Sequence, residues 1–371
     1  MPRLFLGNFD FEHELADPLG WRASAHVERL LAERAPSWIA LADDGDFIWT
    51  PQPIADGFWD ELSTAGLPRA RGVIDPTAAL AAGCVLVPWG WSRRATLLAG
   101  NAPRPNESSV HAGNSRSWSF HLEREMGVAM PGSARIERLE DVTDVVSRSA
   151  SEFSARADEH AWVIKANFGM SARERILGRG STLTEPQRRW LQRRLTADGA
   201  VFFEPWLRVR AEVGVQIMVP SRGHGEPRLE GLAPLLTDSQ GRYCGSRFSL
   251  DDTIPIEWQS AVELCLRAAT RLQALGYFGP LGIDAGLYED AHGCMLVRPL
   301  QDINARFTMG RLALGFRRLL KPHESGVWRH SPIPNKLHDG RVISTTPVIV
   351  GDRAPSHRSV VVISHALSTE Y

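Results

Sequence analysis

Residues 279–310 read GPLGIDAGLYEDAHGCMLVRPLQDINARFTMG. The pattern predicts two strands, over 281–288 and 294–304, with a turn at 290–293 between them. Side chains two apart on a strand share a face, so Asp302, Asn304 and Arg306 project together. If the turn folds the chain back, Asp284 on the first strand comes within a few residues of Asp302. Hard oxygen donors of this kind suit magnesium, which is commonly held by one or two carboxylates together with substrate phosphates. Taken alone, the residues leave a second reading open, in which they are solvated polar groups at strand ends. Pro299 marks the second strand as an edge or bulged strand, because proline cannot donate to a ladder.

The remaining composition bounds what such a site can serve. A chain of 371 residues allows two or three domains, or one enzyme with several lobes. Its 43% hydrophobic and 23% charged residues are those of a globular protein in water, and no apolar run approaches the roughly 20 residues of a membrane span. The opening MPRLFLGNFDFEHELADP meets acidic residues early and lacks the apolar core of a secretory signal, so a cytoplasmic protein is expected. A net charge of −1 removes nucleic acid as the default partner. Cys84, Cys244, Cys265 and Cys294 form no CxxC pair and read as small apolar residues rather than as zinc ligands or bridges. Lysine occurs only at 165, 321 and 336. Lys165 sits inside the apolar run AWVIKANF, where a buried charge is costly unless an anion pairs with it.

Along the chain, the first hundred residues alternate short apolar runs with helical stretches at 26–34 and 58–65, as a small α/β lobe does. GNAPRPNESS, at 100–109, marks its end. Helices are expected at about 114–126, 139–156, 185–195 and 255–275, and strands at 161–168 and in AVFFEPWL, VGVQIMV, LEGLAPLLT and GRYCGSRF. From residue 321 the chain reads as loop-rich, with two apolar runs, TTPVIV and SVVVIS.

The segment 279–310 resembles the close of the ATP-grasp fold, in which a glycine-led strand bearing an aspartate precedes a strand ending E-[IV]-N-x-R. Here that ending is DINAR, with Asp302 in the glutamate position. Three further stretches match the fold in order, so that the resemblance covers about 113–315. NSRSWSFHLEREMGVAMP is similar to the helix that opens the nucleotide-binding core, with Arg116 where lysine is usual. VIKANFG resembles the strand whose lysine, here Lys165, contacts the nucleotide phosphates and takes part in catalysis. FFEPWLRVRAEVGVQIMV resembles the hinge that binds adenine through Glu204 and the backbone of Pro205, Trp206 and Leu207, followed by Glu212 as ribose acceptor. Trp206 is read rather as core.

The resemblance implies an α/β fold: an N-terminal pre-ATP-grasp domain at 1–110, an ATP-grasp domain at 111–320 with a mobile nucleotide-covering lobe at 161–208, and a loop-rich extension at 321–371. It further implies ATP and Mg²⁺ as cofactors, with Asp284, Asp302 and Asn304 on the metal and Arg306 aligning the reacting acid. The loop 169–180 departs from the glycine-rich form of the family, and Ser171 and Arg173, with Arg175, are expected to cover phosphates. Arg298, Arg242 and Tyr243 are weaker candidates for substrate contact. The implied activity is an ADP-forming ligase that joins a small-molecule carboxylate to an amine through an acyl-phosphate. A nucleotide-binding module without ligase activity and an ATP-grasp kinase or carboxylase are the alternatives. No membrane and no nucleic-acid partner is expected, and the oligomeric state stays open, a homodimer included.

Overall fold

In the computed structural model, which describes residues 1–17, 19–153, 161–169, 174–290, 292–331 and 340–365, the N-terminal apolar runs form a parallel sheet. Its strands are β1 (Arg3–Leu6), β2 (Phe47–Trp49), β3 (Arg71–Val73) and β4 (Val85–Pro88), in the order β3-β2-β1-β4. Alternation along β1 sends Leu4 and Leu6 to one face, against Leu86 and Ala95, and Phe5 to the other, against Trp38 and Ile48. Helices Ala25–Arg34 and Asp56–Thr64 fall where the apolar spacing predicts them.

A second sheet contains β5 (Ala134–Ile136), β6 (Ala161–Lys165), β7 (Arg175–Arg179) and β8 (Val201–Pro205), antiparallel in the order β5-β8-β6-β7. It has its own core, in which Ile136, Trp162, Ile164 and Phe203 meet Val142 and Leu191 from the helices Asp141–Phe153 and Glu185–Asp198. Burying each such aliphatic or phenyl side chain contributes about 1.5–3 kcal/mol. Thr184 and Gln187 cap the second helix reciprocally, and Gly199 ends it in the left-handed region at φ 72°. Gly178 is needed for a different reason: a Cβ there would lie 2.0 Å from the Trp162 ring.

The third sheet has eight strands: β9 (Arg208–Val219), β10 (Arg228–Thr237), β11 (Tyr243–Ser249), β12 (Gly279–Glu289), β13 (Met295–Asn304), β14 (Glu324–Ser331), β15 (Arg341–Ser344) and β16 (Arg358–His365). They run antiparallel in the order β13-β12-β9-β10-β11-β14-β16-β15. Val213, Val215 and Ile217 of β9, with Leu281, Ile283 and Ala285 of β12, share a buried core with Cys265, Ala268 and Leu272 of helix Gln259–Ala274. The alternate positions, Gly214, Gln216 and Asp284, therefore face away from that helix. This second face carries the site.

The C-terminal region corrects the expectation of a loop-rich extension. β14, β15 and β16 continue the sheet from β11, with Val327 opposite Val362 and Ile343 opposite Val361. Their partners lie tens of residues apart, so local pattern carried little sign of them. Only SVVVIS becomes strand; TTPVIV contributes an isolated bridge between Val350 and Arg353. Among the described residues, no helix is long and apolar enough to cross a membrane.

Candidate active site

β12 and β13 pair so that Asp284 stands opposite Asp302 and Gly282 opposite Asn304. The turn that sets this register is held by Asp290, whose carboxylate accepts from the N–H groups of His292 and Cys294 at 2.8 Å each. Further along, Gly286 lies opposite Arg298, so a bulge around Pro299 absorbs the missing ladder donor. β13 is also the edge of the sheet, as Pro299 indicated.

Asp284, Asp302 and Asn304 line a cavity of about 190 Å³ together with Arg116, Lys165 and Arg306. Burial pushes the Asp284 carboxyl up to about 8, and the facing charges of Asp302 and Glu212 add to that push. A divalent cation would relieve this repulsion, and the oxygen donors suit magnesium. Among the described residues no group of three or more His, Cys, Asp or Glu is arranged for a metal. Asn304 Oδ1 accepts from Arg306 Nη2 at 2.9 Å and keeps a second lone pair.

This cavity continues into one of about 580 Å³, lined by Pro205, Trp206 and Leu207. Lys165, Arg175, Glu212 and Gln301 border both. Glu212 is positioned by Gln301 Nε2 at 2.6 Å and Thr237 Oγ1 at 2.9 Å. Trp206 is half-buried in the cavity wall, 5.5 Å beneath the Arg175 guanidinium, and this corrects its reading as core. Tryptophan in a strand ending at a hinge carries no sign of which side it faces.

Beneath the larger cavity lies a charge network that the sequence did not announce. Arg298 donates to both oxygens of Glu204 at 2.9 Å, Lys165 Nζ donates to Glu204 Oε2 at 2.7 Å, and Glu123 lies 3.5 Å from Arg298. Burial alone would raise the Glu204 carboxyl, but Arg298 and Lys165 hold it well below the usual carboxylate range. Lys165 moves the other way: burial lowers it and Glu204 offsets this only in part, since Arg298 and Arg116 oppose a further positive charge. Glu204 is therefore held by two cations before any ligand arrives. Arg298, a candidate substrate contact on its sequence, is instead 8% exposed and paired within the fold.

The other candidates are placed as follows. Arg116 Nη1 donates to the Ala166 carbonyl at 3.1 Å, and Nη2 lies 3.5 Å from Asp302. Arg306 pairs with Glu12 of the N-terminal lobe and packs over Trp89. Tyr243 lines the smaller cavity, with its hydroxyl 2.9 Å from Ser246, whereas Arg242 is tied to Asp238. Ser171 and Arg173 lie outside the described residues.

No family model matches the chain, and no curated protein does. Solved structures do match. The N5-carboxyaminoimidazole ribonucleotide synthetase of Thermus thermophilus superposes with a TM-score of 0.55 at 14% identity, over 99% of this chain and 94% of that one. The biotin carboxylase domain of the Hydrogenobacter thermophilus 2-oxoglutarate carboxylase, in complex with MgADP, ADP and bicarbonate, matches with a TM-score of 0.54 at 10% identity, over 98% and 86%. An L-amino acid ligase from Bacillus licheniformis matches with a TM-score of 0.51 at 12% identity, over 98% and 93%.

Proposed function

Because the chain has the ATP-grasp fold, we propose that it is an ADP-forming ligase that activates a carboxylate as an acyl-phosphate and joins it to an amine. The observation that carries this reading is the pairing of Asp284 with Asp302 on one wall of a cavity that Lys165, Arg116, Arg175 and Arg306 also border. Such a cavity suits polyphosphate: four cations meet its oxygens while the carboxylates face inward. The adjoining cavity is large enough for a nucleoside, with the backbone of Pro205, Trp206 and Leu207 on its wall and Glu212 placed for a ribose hydroxyl.

Asp284, Asp302 and Asn304 would hold the magnesium ion, which when bound offsets charge on the phosphate oxygens. Lys165 leaves Glu204 for the phosphates, and Arg298 keeps Glu204 neutralised when it does. Arg306 aligns the acid. A carboxylate oxygen attacks the terminal phosphorus, and the bond to ADP breaks. The amine nitrogen then attacks the acyl carbon, phosphate leaves, and the nitrogen gives up a proton as the amide forms. Holding the partners together, rather than any covalent enzyme group, supplies most of the acceleration.

A second reading makes bicarbonate the activated acid. It is favoured by the likeness to a biotin carboxylase domain bound to bicarbonate. Mass spectrometry of the product with labelled bicarbonate separates the two. The test of the common site is Asp302→Ala and Asn304→Ala, assayed by magnesium-dependent ADP release with a pool of amino acids and small acids. Both changes are expected to abolish release. Survival of activity, or of magnesium-dependent ATP binding, in both variants sinks the site. Thermal stabilisation by ATP without turnover in the unaltered protein points to a binding module instead.

A further inference from the structure

Along β9 the larger cavity is lined as far as Glu212. The register with β12 then places Glu212 opposite Gly286, Gly214 opposite Asp284 and Gln216 opposite Gly282. These positions share one face, and Gln216 stands about 13 Å beyond Glu212 at four strand residues. Phosphates entering from the larger cavity therefore meet Asp284 before Gln216. What lies past them, at Gln216, is the group that receives the phosphoryl.

Gln216 is 2% exposed, and Thr308 fixes the way its amide points. Thr308 Oγ1 accepts from the Arg311 N–H at 3.2 Å and donates its own proton to Gln216 Oε1 at 2.7 Å. That leaves Nε2 as the free end, with no hydrogen-bond partner among the described residues, and it opens onto the smaller cavity. Two glycines make the room. A Cβ on Gly214 or on Gly310 would lie 2.8 Å from Nε2, and the one on Gly214 would also lie 3.5 Å from Asp284 Oδ1. The space between amide and carboxylate stays open because neither residue has a side chain.

A donor held rigidly with no protein acceptor is placed for a ligand oxygen. Its neutrality matters as well. A lysine or arginine here would pair with Asp284, whereas an amide leaves that carboxylate to a metal ion.

We propose that Gln216 is a catalytic residue, whose Nε2 donates to the carboxyl oxygen of the acid that does not receive the phosphoryl group, and that Thr308 positions it. The proposal deepens the ligase reading and rests on it. When the amine nitrogen bonds to the acyl carbon, the carbonyl electron pair moves onto that oxygen. The pair returns as the bond to phosphate breaks, and phosphate leaves with the bonding electrons and takes the proton that the nitrogen sheds. Gln216 keeps its own protons. A donor already aimed at the oxygen strengthens as charge gathers there, and removing one such donor costs about 10²–10³-fold in rate.

The experiment measures magnesium-dependent ADP release by the full chain with the pool of amino acids and small acids, alongside MgADP binding by titration calorimetry. Gln216→Met keeps the volume and removes the donor. It is expected to lower kcat/KM for the acid that supports release by about 10²-fold or more, with MgADP affinity changed by less than about twofold. Thr308→Val frees the amide to turn and is expected to cost about tenfold, which Thr308→Ser recovers. If Gln216→Met fails to fold, Gly214→Ala reads the same contact, because its methyl displaces Nε2. Undiminished kcat/KM in the unaltered enzyme's place overturns the proposal, and so does an equal fall in MgADP affinity, which would give the amide to the nucleotide. A loss in Thr308→Val that Thr308→Ser does not recover overturns the positioning role. No ADP release from the unaltered chain overturns the ligase reading and the role of Gln216 with it, whereas equal release by the unaltered chain and Gln216→Met overturns the role of Gln216 alone.

Discussion

Two groups of charge border the same cavity system, one buried and one half-buried, and they are balanced differently. Under the larger cavity, Glu204 and Glu123 meet Arg298 and Lys165, two acids against two bases, all within 3.5 Å of a partner. Beside the smaller cavity, Asp284 faces Asp302 and Glu212, and burial with that repulsion holds its carboxyl near 8. The first group is complete and shapes the binding surface. The second is in deficit of direct partners: among the described residues Asp284 forms no ion pair or hydrogen bond, although Arg116, Lys165, Arg175 and Arg306 border the same cavity, and a ligand-borne cation would supply one.

Four substitutions break or sharpen that contrast. Arg298→Met removes the centre of the balanced group and leaves two buried acids, so stability should fall by about 3–5 kcal/mol, read from chemical denaturation. Asp284→Asn acts on the group in deficit and should do the opposite to the fold: the melting temperature rises, while ADP release falls by about 10²–10³-fold. A lower melting temperature would show that Asp284 is structurally paired. Lys165→Met separates the two groups, because Arg298 still neutralises Glu204. ADP release should drop about 10²-fold with little change in melting temperature.

The smallest effect concerns pH. Burial pushes the Glu123 carboxyl from 4.5 to about 7, although Arg298 beside it pulls the other way. The folded protein therefore keeps a proton that the unfolded chain sheds first, so stability declines as pH rises from 4.5 to about 7 and this contribution then levels off. Glu123→Gln should remove that decline in melting curves taken across the window. An unchanged slope would assign the titration elsewhere.

The group in deficit was legible in the sequence and the balanced group was not. Asp284 and Asp302 lie on two strands joined by one turn, so period-two alternation and a recognisable turn sufficed to bring them together. Glu123, Glu204 and Arg298 come from a helix and two strands in different sheets. Nothing local distinguishes Glu123 from a solvated helix residue, and only the tertiary arrangement buries it. The same limit hid the C-terminal strands, whose pairing is set by register across the sheet, and the facing of Trp206.

The place of β14 in the large sheet bears on how the chain is made. β11 pairs with β10 on one side and β14 on the other. During synthesis from the N-terminus, the strands that form the site emerge well before residue 324, which leaves β11 as an open edge able to pair with a neighbouring nascent chain. Slowing translation ahead of β14 should therefore lower the soluble yield without altering any residue that lines the two cavities.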